Sequence, residues 1–119
     1  MQPEELNQLL QKPQTLRPLI LQVGSRMMFD EAHIAGAEYT GPGSRDEGIE
    51  ALRNRVSSLP RKTFIVIYCG CCPWNHCPNV GPAYKLLSDM RFTNFKVLYL
   101  ADNFGTNWVD MGFPAMRAR

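Results

Sequence analysis

The run Thr63-Phe-Ile-Val-Ile-Tyr68 is the most apolar stretch of the chain, and it constrains the fold more than any other segment. A strand with one wet face alternates apolar and polar residues. This one is apolar at consecutive positions, so both its faces must be covered. Strands of that kind sit inside parallel sheets with helices packed on either side.

The remaining segments supply such a sheet. Leu19-Ile-Leu-Gln-Val23, closed by Gly24, and Lys96-Val-Leu-Tyr-Leu100 read as strands, with Ala35 to Tyr39 as a brief one and Thr40-Gly-Pro-Gly43 as a turn. Helical patterns lie between them. Pro3 to Gln11 places Leu6, Leu9 and Leu10 on one face, and Ser25 caps a short turn or helix through Phe29 and Ala32. Ser44 stands three residues before Glu47, the spacing of a capping box, and opens a helix that carries Ile49, Leu52, Val56 and Leu59 and stops before Pro60. Gly81-Pro82 supplies an N-cap and first turn for a helix from Pro82 to Met90, with Tyr84, Leu87 and Met90 inward. A final short helix from Asn103 to Met111 carries Trp108. Alternating strands and helices predict an α/β fold with a mainly parallel central sheet flanked by helices on both faces. Pro13 and Pro18 bracket a linker, which separates an N-terminal helix and linker (1–15) from the main domain (16–119).

A length of 119 residues suits one such core. The net charge is only +2, and the basic residues are dispersed, which argues against a nucleic-acid partner. No apolar run approaches the roughly 18 residues that span a bilayer, so no membrane partner is expected. The opening MQPEELNQLL has acids and glutamines where a signal peptide needs basic and then apolar residues. The expected location is cytoplasmic; an exported form already trimmed of its signal would read the same.

The apolar run ends on chemistry. All four cysteines lie in the segment CGCCPWNHC, from Cys69 to Cys77. Framework disulfides tie distant segments together, whereas these thiols can only tie one loop to itself. Cys69 is the first residue past the strand and precedes a helix, whose N-terminal N–H groups and partial positive charge favour thiolate over thiol. From Ala51 to Ser88 there is no acid, while Arg53, Arg55, Arg61, Lys62 and Lys85 are present. These cations either make the loop electropositive or form an ordinary solvated face. Pro73, Pro78 and Pro82 disfavour helical geometry at Cys72, Cys77 and Gly81, so the loop is stiff and non-helical. Cys69-Gly-Cys-Cys72 contains a CxxC pair in which Cys72 could attack a persulfide or mixed disulfide on Cys69. A vicinal Cys71–Cys72 bond and resolution of Cys72 by Cys77 are further pairings, and sequence does not choose among them. Gly70, Trp74 and Asn75 are the candidate pocket residues, with packing the preferred role for Trp74. His76 either influences the thiols or is a solvated loop residue.

Leu19-Ile-Leu-Gln-Val-Gly-Ser25, His33-Ile-Ala-Gly-Ala37, Ile65-Val-Ile-Tyr-Cys69 and Trp108 with Gly112-Phe-Pro114 resemble, in order and spacing, the rhodanese-like sulfurtransferase family. The resemblance covers residues 16–117. It implies a rhodanese-like fold in which Cys69 carries the persulfide: its thiolate takes sulfur from a small donor, loop N–H groups cradle the adduct, and a thiol acceptor or redox partner protein receives it. No cofactor is implied. His33 then bridges strand and loop in a structural role, Phe104 and Trp108 pack the C-terminal helix, and Asn103 is a candidate for the site mouth. The departures are specific. The loop is longer than the family's and has no basic side chain between Cys69 and Tyr84, so no loop cation is available for the sulfonate of thiosulfate. Gln22 stands where the first strand commonly has Asp, and Ser25 where Arg often follows. Asn75 stands where phosphatase relatives of the fold need Arg, which argues against phosphatase chemistry.

Two alternatives come from other classes. Cys69, Cys71, Cys72, His76 and Cys77 offer enough soft ligands for zinc or copper(I), although their spacing fits no two-knuckle zinc signature and the preferred reading assigns no metal. The second alternative is a catalytically inactive rhodanese-like binding module.

Overall fold

A computed structural model describes residues 1–69 and 77–117. Four parallel strands form its central sheet: β1 (Leu19–Gln22), β3 (Glu38–Tyr39), β4 (Ile65–Tyr68) and β5 (Phe95–Val97), in the order β3-β1-β4-β5. β4 is an interior strand, with Leu19 to Gln22 of β1 opposite Ile65 to Tyr68 and Ile65 to Ile67 opposite Phe95 to Val97. All four of its residues are buried, as their unbroken apolar character requires.

The two-residue period of β4 sorts the core into two layers. Ile65, Ile67 and Cys69 face a cluster completed by Leu52 and Val56 of α3 (Asp46–Val56) and by Val80, Ala83 and Leu87 of α4 (Val80–Asp89). Val66 and Tyr68 face the other layer, with Leu6 and Leu10 of α1 (Pro3–Leu10) and with Phe104 and Trp108. Trp108 is fully buried in a short π-helix, Gly105–Val109, where the Asp110 N–H donates to the Gly105 carbonyl at 2.8 Å. The sheet is therefore parallel and covered on both faces.

Several local expectations are corrected. Ala35 to Tyr39 is not one strand. Gly36 adopts φ +86°, a left-handed turn that glycine enters without steric cost, and the Ala37 N–H closes it on the Ile34 carbonyl. The turn separates β3 from β2 (His33–Ile34), which leaves the sheet to pair antiparallel with β6 (Ala115–Met116), a strand too short to show in the sequence pattern. Ser44 caps nothing. Arg45 occupies the cap position of α3, and the Ser44 N–H donates to the Asn79 side chain instead. The helix assigned to Pro82–Met90 starts at Val80 with Asn79 as its cap residue, not Gly81. Val80, Ala83 and Leu87 make its inner face. Tyr84 is 50% exposed and sets its ring edge against Phe95 at the border of the sheet. The last sheet strand ends at Val97; beyond it the Leu98 N–H still reaches the Ile67 carbonyl, and the Tyr99 N–H donates to the Met1 carbonyl. The helix expected from Asn103 to Met111 is the π-helical turn.

After β1 the chain crosses to β3 on one side, and after β4 it crosses to β5 on the other. The two interior strands thus define the switch point of the sheet, beyond whose carboxyl ends ligands of such folds bind. Val23 and Gly24 leave β1 there, and Cys69 leaves β4 beside them.

Candidate functional site

Cys69 is held from three directions. Its own strand brings it to the switch point, where it is 3% exposed. The chain leaving β1 presses against it: the Val23 N–H donates to the Tyr68 carbonyl at 2.8 Å, and a Cβ on Gly24 would overlap the Cys69 carbonyl oxygen and lie 3.3 Å from Sγ. Gly24 is thus required for close approach, not for an unusual dihedral. The turn before α3 closes the third side, with the Gly43 N–H on the Val23 carbonyl at 2.9 Å. A Cβ on Gly43 would collide with the Asn79 carbonyl.

Asn79 joins these pieces. It is 7% exposed, its Nδ2 donates to Cys69 Sγ at 3.3 Å, and its Oδ1 accepts the Ser44 N–H at 3.0 Å. Although it stands at the N-cap of α4, its side chain makes no bond to its own helix. It ties the nucleophile candidate to the loop that opens α3. The sequence pattern does not single this residue out. The only signal was an Asn directly ahead of a helix, and that signal points to a cap.

The second cysteine brought to the site is Cys77. Cys69 and Cys77 form a disulfide, with Cα atoms 6.8 Å apart. Cys77 is 9% exposed and belongs to the same buried cluster as Cys69 and Val80. Cys72, Cys71 and His76, and the pocket candidates Gly70, Trp74 and Asn75, lie outside the described residues, so most of the ligand set of the metal alternative does as well. Among the described residues no three His, Cys, Asp or Glu side chains group as metal ligands.

Gln22 is buried and turns back on its own strand end. Its Oε1 accepts the Gly24 N–H at 3.1 Å, and its backbone carbonyl accepts the Thr40 hydroxyl. The residue therefore shapes the β1 turn beside Cys69 as a neutral group. Ser25 caps α2 (Arg26–Glu31) by accepting the Met28 N–H. His33 stacks on Phe29 with centroids 3.8 Å apart, and its Nδ1 lies 2.8 Å from the Phe29 carbonyl, a structural bridge between β2 and α2. Phe104 and Trp108 pack the core, and Trp108 donates to the Pro114 carbonyl. Asn103 accepts the Thr106 N–H at 2.7 Å, which caps the π-helical turn.

Four of the cations considered for an electropositive loop have other partners. Arg55 forms a two-pronged pair with Glu38 and holds that carboxyl below its usual range, Arg53 pairs with Glu50, and Lys85 pairs with Asp89. Arg61 donates to the Ser57 and Leu59 carbonyls and lies over the Phe92 ring. They form a solvated face.

The sequence matches no protein-family model, and it matches no curated protein. Its structure does have relatives. The rhodanese-like domain of the Alr3790 protein from Anabaena, solved by NMR, superposes with a TM-score of 0.67 over 98% of this chain and 77% of its own, at 24% identity. The fold is that of a rhodanese-like domain. A crystal structure of the Alr3790 protein gives a TM-score of 0.72 at 23% identity, covering 99% of this chain and 92% of the relative. A rhodanese from Escherichia coli, solved with anions, is more distant: its TM-score is 0.54 at 16% identity, over 85% of this chain and 99% of its own.

Proposed function

We propose that this rhodanese-like domain is a sulfurtransferase-type thiol protein, in which Cys69 carries a persulfide and Cys77 resolves it. The observation that carries the reading is the pairing of Cys69 with Cys77 at the end of β4. The Cys69 thiolate attacks the outer sulfur of a donor, and the donor departs with the electron pair of the bond that breaks. The Cys77 thiolate then attacks Cys69 Sγ, expels the outer sulfur as hydrosulfide and leaves the Cys69–Cys77 disulfide. An external dithiol or two thiols reduce that bond, supplying the two electrons that the sulfane sulfur took. The lack of a basic side chain between Cys69 and Tyr84 favours a persulfide or polysulfide donor over thiosulfate.

The test is intact-mass analysis of reduced protein after brief exposure to polysulfide. Wild type is expected to gain the mass of one sulfur transiently and then lose two hydrogens relative to its reduced form. Cys77→Ser retains the adduct, and Cys69→Ser gains none. An adduct that persists unchanged in Cys69→Ser contradicts the assignment of the nucleophile.

A further inference from the structure

Of the buried polar residues described, Gln22, His33, Thr40 and Asn79, only Asn79 directs its side chain at Cys69. Its orientation is fixed on independent grounds. The Ser44 N–H can only donate, so the amide atom facing it must be the carbonyl Oδ1. The atom left facing Sγ is then the NH2 group, a donor. We propose that Asn79 is a positioning residue for the nucleophile: its side-chain N–H donates to Sγ and holds reduced Cys69 as thiolate at the end of β4. The proposal rests on Cys69 being the reactive thiol and is independent of the sulfur donor.

The chemistry gives the contact a direction. Sulfur in a disulfide or a neutral thiol is a weak acceptor, whereas a thiolate is a strong one, so the 3.3 Å contact strengthens when Cys69 is reduced and ionised. A donor that stabilises the charged form lowers the thiol pKa. Val23 and Gly24 from β1, the Gly41 to Ser44 turn and Val80 of α4 carry no titratable side chain, and Cys77 is the one ionisable neighbour in its buried cluster. Asn79 sits at the N-terminus of the ten-residue α4, whose partial positive charge acts in the same sense.

The test separates this role from a merely structural one. In protein whose Cys71, Cys72 and Cys77 are replaced by Ser, Cys69 is the only thiol, and its alkylation by iodoacetamide can be followed against pH. Asn79→Asp keeps an oxygen for the Ser44 N–H but places a second oxygen, and a charge, against Sγ. Its alkylation midpoint is expected to rise by more than about 1 pH unit, and that of Asn79→Ala by about 1. A purely structural Asn79 predicts an unchanged midpoint in a folded Asn79→Ala protein, which brings in no new charge, and that result overturns the proposal. If the alanine variant does not fold, the near-isosteric and neutral Asn79→Leu decides by the same midpoint. Loss of folding in both variants would assign the residue to the scaffold and also overturn it. Because alkylation involves no sulfur donor, a failed persulfide assay leaves this outcome readable.

Discussion

Tyr68 ends β4 with its ring in the core and its hydroxyl accepting the Ile34 N–H at 3.1 Å. That bond joins the central strand to β2, immediately before the chain reaches Cys69. Tyr68→Phe leaves a buried N–H unsatisfied and is expected to destabilise by about 1–3 kcal/mol in urea unfolding. Burial also pushes the Tyr68 hydroxyl above its ordinary pKa of 10.0. The unfolded chain therefore loses this proton at a pH where the folded chain still holds it. The associated stability is present below about pH 10 and is lost as pH rises above it. The melting temperature of wild type should fall more steeply above pH 10 than that of Tyr68→Phe; parallel curves would show that Tyr68 does not titrate in this way. Gly24 acts on the same few ångströms by having no side chain. Gly24→Ala forces a methyl into the Cys69 carbonyl and should cost about 1–3 kcal/mol as an overpacked contact, with slower Cys69 alkylation as its signature.

At the scale of elements, the segments that the sequence exposed are those whose pattern is local. Thr63–Tyr68 announces β4 by composition alone, and Leu52 with Val56 announces the inner face of α3. What stayed hidden was set by partners far along the chain. β6 is two residues long and exists through its pairing with His33 and Ile34. The strand expected over Ala35–Tyr39 broke because one glycine, Gly36, turns left-handed. Spacing from Leu87 predicts Tyr84 inward, but its half-exposed ring lies against Phe95 at the edge of the sheet. α1 forms where the leucine spacing predicts it, and its Leu6 is fully buried in the cluster that holds Val66 and Trp108. Leu6→Ala is therefore expected to cost about 2–5 kcal/mol, measured by the urea midpoint. A change within experimental error would mean that α1 packs loosely against the sheet.

On the scale of the whole molecule, the strand order β3-β1-β4-β5 places the switch point between β1 and β4, and both Gly24 and Cys69 emerge there. The position of Cys69 was legible because a strand end and its first loop residue are adjacent in sequence. Its surroundings were not. Asn79 is oriented by the Ser44 N–H, 35 residues away, and Gly43 matters because the turn before α3 folds back onto Asn79. The choice of Cys77 as partner was equally hidden, since four thiols in one loop leave every pairing open. The measurement that tests the central claim most directly is disulfide mapping after one turnover. Reduced protein is loaded with one equivalent of persulfide sulfur, quenched by alkylation and digested without reduction, while released sulfide is titrated. The account predicts one sulfide per chain and a crosslink between Cys69 and Cys77, with Cys71 and Cys72 alkylated. Sulfide release with the crosslink at Cys71 or Cys72, or no sulfide release at all, would contradict it.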